Sequence, residues 1–175
     1  MIYLFRHGQT EWNRLKRFTG TTDVPMNETG FQQAKDMAEK LKDVCFDVCY
    51  CSPKLRARQM AGELYAGKAV LDERLEEIVC GAFEGAEETP EAMQAFWEAM
   101  QTGASGVEDF RTFAKRNCDF GDMVAARHAG QNVLIVTHAA NARVLNYYFS
   151  GKPEGYDFTK AVCKGGEFLT LGGQS

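Results

Sequence analysis

The sequence predicts an α/β domain of three layers, a largely parallel central sheet flanked by helices. Short apolar runs alternate along the chain with segments of helical period, the pattern of a sheet whose strands are joined by crossover helices. A length of 175 residues, 45% of them hydrophobic, is enough for one sizeable core and short for two. The expected organisation is therefore one domain over residues 1–175.

Strands are expected at 2–5, 46–51, 69–71 and 132–137, where apolar and β-branched residues cluster. Phe31, Ala34, Ala38 and Leu41 fall on one face of a first helix, and Ala57, Met60, Ala61, Leu64 and Tyr65 on one face of a second. Ser52-Pro53 reads as the cap and first-turn proline of that second helix. Thr89-Pro90 opens a third, with Met93, Phe96, Trp97 and Met100 on one side. Phe110, Phe113, Asn117, Phe120 and Val124 mark a fourth, which Gly130 is expected to end. The tail over 161–171 reads as two short strands about a turn at Lys164-Gly165-Gly166.

Composition narrows the function. A net charge of −4 supplies no broad cationic face, which argues against nucleic acid or a membrane surface as partner. An anionic ligand must meet a local cluster of cations. The six cysteines (Cys45, Cys49, Cys51, Cys80, Cys118 and Cys163) contain no CxxC pair, and three histidines leave little for a zinc site. They read as reduced core or strand residues. The apolar start at Met1–Phe5 is cut by Arg6, far short of a signal-peptide core or a membrane span, so the cytoplasm is the expected location.

The chemistry gathers at strand ends. Arg6-His7-Gly8 follows one strand and His138 another, and the carboxyl edge of an open α/β sheet is where ligands bind. Arg56 lies in the first turn of the helix after a third strand, at the same edge. Guanidinium forks match phosphate oxygens, and the unpaired amides of a helix start add positive potential beside them. Two arginines and two histidines at one edge suit a phosphoryl group.

These residues belong to longer motifs. Leu4-Phe5-Arg6-His7-Gly8-Gln9-Thr10-Glu11-Trp12-Asn13 resembles the opening signature of the histidine phosphatase (phosphoglycerate mutase-like) superfamily. The resemblance continues through Arg17-Phe18-Thr19-Gly20 with Asp23 and Pro25, Gly30 with Gln33-Ala34, and Cys51-Ser52-Pro53-Lys54-Leu55-Arg56-Ala57-Arg58-Gln59. It extends to Asp72-Glu73-Arg74-Leu75-Glu76-Glu77-Ile78, Gly81-Ala82-Phe83-Glu84-Gly85 and Thr137-His138.

The resemblance implies a phosphomonoester hydrolase that works through a phosphohistidine on a small phosphorylated metabolite. His7 would attack phosphorus, Arg6, Arg56 and His138 would hold the equatorial oxygens, and Glu77 would be the general acid. Asn13, Thr19 and Gly20 would complete the phosphate pocket. No metal or cofactor is required by that chemistry. Glu77 is singled out by the resemblance alone, since Asp72, Glu73, Glu76 and Glu84 surround it and would equally make a solvated acidic face.

Other residues keep two readings. Arg58 and Arg143 fit surface salt bridges or phosphate contacts, and His128 reads as a surface residue. The Phe96-Trp97 stripe fits either core packing or the underside of a small lid. Met60, Ala139 and Val107-Glu108-Asp109 depart from the family pattern, and the last leaves open whether Glu108 reaches a substrate. Between Gly85 and Glu108 there is room for one helix, so a small helical cap is expected at about 86–106. The short cap and the Gly81–Gly85 segment favour the phosphatase branch. Arg17-Phe18-Thr19-Gly20 keeps phosphoglycerate mutase-type transfer as the alternative, and a non-catalytic phospho-ligand module stands third.

Overall fold

The computed structural model describes residues 1–158 and 166–172. In chain order the strands are β1 (Ile2–Arg6), β2 (Val48–Cys51), β3 (Val70–Leu71), β4 (Val133–Thr137) and β5 (Phe168–Leu171). The helices are α1 (Glu11–Arg14), α2 (Glu28–Lys40), α3 (Leu55–Leu64), α4 (Pro90–Thr102), α5 (Phe110–Arg127) and α6 (Ala139–Phe149). Among the described residues the sheet runs β3-β2-β4-β1-β5, parallel except for β5, which lies antiparallel on β1.

Alternation along the strands produces the three layers. Phe5, Cys49, Cys51, Leu134 and Val136 face one side, where Ala34 and Met37 of α2 and Ala57, Met60 and Ala61 of α3 cover them. Leu4, Tyr50, Val133 and Ile135 face the other, against Phe120 and Val124 of α5 and Ala142 and Leu145 of α6. A side chain such as Phe5 or Phe120, fully buried, contributes about 1.5–3 kcal/mol through the water it excludes. A third cluster joins Phe96, Ala99 and Met100 of α4 to Phe18, Ile78 and Val107, so α4 sits over the loops at one end of the sheet.

Several expectations need correction. Residues 46 and 47 lie outside β2, which begins at Val48. Ser52-Pro53 does not cap α3. The N-cap is Lys54, without a side-chain cap bond, and Asp23 Oδ1 accepts the Leu55 amide at 2.7 Å from a distant loop. Helix α5 stops at Arg127, before Gly130, whose positive φ of 77° serves the following turn. Helix α6 stands where the sequence reading places no helix. Cys45 is exposed rather than core, and Cys118 is half-exposed. His128 is not merely a surface residue, since it caps the end of α5 and bonds the Tyr50 hydroxyl at 2.8 Å and the Gln131 side chain at 2.6 Å. Of the tail, β5 and Gly166 are seen, while Cys163, Lys164 and Gly165 lie outside the described residues.

The loop after β1 depends on two glycines. A Cβ on Gly8 would stand 2.5 Å from the Gly30 carbonyl oxygen, and one on Gly30 would stand 2.2 Å from the Gln9 oxygen. Only glycine at both places lets this loop lie on the first turn of α2. Asn27 fixes the contact, capping α2 through Gly30 N–H and donating to Gln9 Oε1, both at 2.9 Å.

Candidate active site

Strand register brings the two imidazoles together. Arg6 pairs with Thr137 across β1 and β4, so the next residues, His7 and His138, leave the sheet side by side. His7 N–H continues the ladder to Thr137 O at 3.0 Å, and Ser52 N–H does the same to Val136 O on the neighbouring strand. The His7 and His138 ring centroids are 5.1 Å apart, and both rings are buried.

Hydrogen bonds define each tautomer. His7 Nδ1 lies 2.8 Å from the Gly8 carbonyl, which can only accept, so Nδ1 holds the proton and Nε2 carries the lone pair. Arg56 Nε donates to His138 Nδ1 at 3.2 Å, so the His138 proton sits on Nε2 and is donated to Ser52 Oγ at 2.8 Å. Ser52, expected at a helix cap, serves the site instead.

Arg56 is fully buried at the start of α3. Its terminal nitrogens donate to Thr22 O at 2.9 Å and Gly20 O at 3.1 Å. That loop is itself fixed by Glu84, whose carboxylate accepts the amides of Gly20, Thr21 and Thr22 at 3.0–3.2 Å. Gly20 thus meets the site through its carbonyl, and there is no room for a side chain on it, because a Cβ would lie 2.5 Å from Ile78 O. Sequence reasoning saw Glu84 only as one acid among several; nothing in its spacing revealed three amides converging on it. Replacing Glu84 by alanine is expected to lower kcat by roughly 10- to 100-fold as Arg56 loses its frame. Losing the charge-assisted bonds should lower stability by about 1.5–3 kcal/mol. Steady-state kinetics and thermal unfolding check both, and unchanged kcat would contradict this role.

Glu77 follows a 3₁₀ turn at Glu73–Leu75, which Asp72 caps. Its carboxylate accepts Ile78 N–H at 2.9 Å and Ala140 N–H, in the first turn of α6, at 3.4 Å. Burial raises its pKa above the ordinary carboxyl range, opposed by the Ile78 amide, Arg56, the Ala140 amide and Arg6. The opposite holds for the histidines. Burial, then Arg56 and Arg6, hold His7 well below the usual histidine range, with the Gly8 carbonyl opposing. Burial, Arg56, His7, Arg6 and Lys54 lower His138 likewise. Both imidazoles are therefore neutral at pH 7.

A stability prediction follows from these directions. Each imidazole binds a proton more readily in the unfolded chain, so stability is complete above the unfolded histidine value of about 6.5 and falls as pH drops below it, by up to about 1.4 kcal/mol per pH unit for each ring. Glu77 works the other way, because its raised value lets the folded chain keep a proton that the unfolded chain has released. Two rings outweigh one carboxyl. Urea midpoints are expected to fall from pH 7.5 to 5.5, and midpoints that rise or stay level would contradict the burial of neutral rings.

Arg6 and Glu77 open onto a cleft of about 250 Å³. Phe18, Thr19, Ala139, Ala140 and Arg143 line it together with Met93, Phe96, Trp97 and Met100 of α4 and the exposed Glu88. Phe96 packs on Phe18, with ring centroids 5.0 Å apart, and also lines the cleft. Asn13 forms a capping box with Thr10 at the start of α1, its Oδ1 accepting the Thr10 amide at 3.1 Å. Glu108 is bound by Arg116, with Oε1 to Nε and Oε2 to Nη2 both at 2.8 Å, and does not line this cleft.

Comparison with known proteins shows the family. The family model described as histidine phosphatase superfamily (branch 1) matches residues 2–159. The chain belongs to that superfamily. Among its relatives, the metal-independent phosphoserine phosphatase of Arabidopsis thaliana is 32% identical over 157 residues, covering 82% of this chain and 66% of the plant protein. Phosphoserine phosphatase 1 of Hydrogenobacter thermophilus is 30% identical over 154 residues, covering 82% of this chain and 73% of that one. Among solved structures, Bacillus stearothermophilus YhfR superposes with a TM-score of 0.81 at 31% identity, covering 95% of this chain and 88% of the other.

Proposed function

We propose that the chain is a phosphatase that hydrolyses small phosphomonoesters through a phosphohistidine on His7. The observation that carries this reading is the His7 tautomer. With Nδ1–H given to the Gly8 carbonyl, Nε2 presents a lone pair beside the charges of Arg6 and Arg56. A neutral, oriented imidazole next to fixed cations is what in-line attack on a phosphoryl group requires.

In the first step Nε2 of His7 bonds to phosphorus while the bond from phosphorus to the ester oxygen breaks. Glu77, whose raised pKa favours the acid form, gives its proton to the departing oxygen, which leaves as an alcohol. The Nδ1–H bond to the Gly8 carbonyl stabilises the positive charge that the ring gains. In the second step the Glu77 carboxylate takes a proton from water, the water oxygen bonds to phosphorus, and the bond to Nε2 breaks. Phosphate leaves and His7 is neutral again.

Arg6 and Arg56 hold the phosphoryl oxygens throughout, with the amide of Asn13 and the Thr19–Gly20 loop closing the pocket. His138 supports Arg56 through Nδ1 in this structure; to bind an oxygen directly, its Nε2–H turns from Ser52. The helix Pro90–Thr102 with its flanking loops acts as the small cap of a single domain. Free thiols at Cys49, Cys51 and Cys80 fit a reducing cytoplasm.

Product analysis separates hydrolysis from mutase-type transfer, since the cleft holds the cation of Arg143 as well as Glu88 and the apolar Met93, Phe96, Trp97 and Met100, and phosphoserine and phosphoglycerate both carry a carboxylate. Phosphoserine is the first substrate to test, because two relatives are named as phosphoserine phosphatases. With labelled phosphoserine and labelled 3-phosphoglycerate, the expected product is inorganic phosphate in step with alcohol release. Label passing between hydroxyls without phosphate release would favour the mutase, and binding without either would favour a non-catalytic module.

A further inference from the structure

We propose that Arg116 and Glu108 form a positioning pair that holds the backbone carrying Glu77, and so sets the general acid against the leaving group. The inference rests on the reading of Glu77 as that acid. Arg116 projects from the middle of α5, and every N–H of its guanidinium is committed. Nε and Nη2 grip Glu108 at 2.8 Å each, Nη1 donates to the carbonyls of Arg74 and Glu76 at 2.7 Å each, and Nη2 also reaches the Glu77 carbonyl at 3.2 Å.

Glu108 closes the clamp from the other side. Its Oε2 accepts the amide of Val79 at 3.3 Å, so one ion pair fixes the chain both before and after Glu77. The Arg116 side chain is 20% exposed and that of Glu108 12%, which shields the pair from the solvent that weakens surface ion pairs. The Phe113 ring lies under the guanidinium at 4.6 Å. Asn141 Nδ2 donates to Glu76 O at 2.9 Å, and Thr137 Oγ1 to Leu75 O at 2.7 Å, tying the same segment to the start of α6 and the end of β4.

This segment has no strand or helix of its own to hold it beyond the turn at Glu73–Leu75. Side chains supply the rigidity that a ladder would otherwise give. Neither residue lines the cleft, so both act through Glu77.

The test compares kcat/KM for an alkyl phosphate, whose leaving oxygen needs a proton, with p-nitrophenyl phosphate, whose leaving group does not. kcat/KM covers phosphorylation of His7 and omits the second half-reaction, in which Glu77 matters for both esters. For Arg116→Met the expected loss is roughly 10- to 100-fold on the alkyl ester and no more than about 3-fold on the aryl ester. Glu77→Gln should show the same selectivity at larger size, and Arg116→Met placed on Glu77→Gln should add little. Arg116→Lys and Glu108→Gln, which keep volume and part of the bonding, should show the same pattern in smaller degree, and they carry the test if Arg116→Met fails to fold. Equal losses on both esters in the Arg116 and Glu108 variants, with Glu77→Gln still selective, would overturn the pairing alone. Absence of selectivity in Glu77→Gln would overturn the reading of Glu77 and the pairing with it.

Discussion

Replacing His7 by alanine is expected to lower turnover by at least roughly three orders of magnitude, because the lone pair of the neighbouring imidazole, His138 Nδ1, is already taken by Arg56 Nε–H. Binding should survive better than chemistry, since Arg6 and Arg56 keep their charges. The fold should survive too: the ladder bond of residue 7 is made by its backbone, and the side chain contributes one local bond to the Gly8 carbonyl. Steady-state kinetics beside thermal unfolding separate these effects. Turnover within about tenfold of the parent would remove His7 from the mechanism.

The second large effect belongs to Arg56. Its buried guanidinium bonds His138, Thr22 and Gly20 and, in the proposed mechanism, carries charge to the phosphoryl group. Arg56→Met is expected to reduce kcat/KM by roughly 10²–10³-fold, the scale seen when one preorganised donor to developing charge is removed. Stability should fall as well, because His138 Nδ1 and two loop carbonyls lose their donor, each at a cost of about 1–3 kcal/mol if it stays dry. Relief of guanidinium desolvation offsets part of that. Arg56→Lys restores charge without the fork, so it should recover little of either. Recovery to near-parent activity in the lysine variant would mean that charge alone, and not the bonded geometry, is what Arg56 supplies.

Much of the fold was legible because its strands are short, apolar and distinct from the helical segments. β1 and β4 stand within a residue of their expected bounds, and the positions of His7 and His138 at their ends followed from that. Thr89-Pro90 announced α4 correctly, since threonine caps it through the Ala92 amide at 3.1 Å. The same logic failed at Ser52-Pro53, where the serine hydroxyl is taken by His138 and the helix starts later. Helix α6 escaped notice because His138 precedes it without capping it by a side chain.

The candidate site was legible in the positions of its imidazoles and guanidiniums and opaque in its supports. Arg6, His7, Arg56 and His138 occupy strand or helix ends, where local pattern predicts position. Glu77 sits in irregular backbone and was recognisable through the family resemblance alone. Glu84, Arg116 and the Gly8 carbonyl act through bonds between segments distant in sequence or through the backbone, and no periodicity records such bonds. Glu108 shows the limit well: its motif leaves open whether it reaches a substrate, and the structure pairs it with Arg116 instead.

The account turns on covalent phosphorylation of His7, and rapid-quench analysis of a single turnover with ³²P-labelled substrate tests it most directly. The expected result is a protein-bound label that forms and decays within the turnover, resists alkali, is lost in acid and maps to the peptide bearing His7. Turnover with no protein-bound label, or with label on another residue while His7→Ala retains activity, would contradict it.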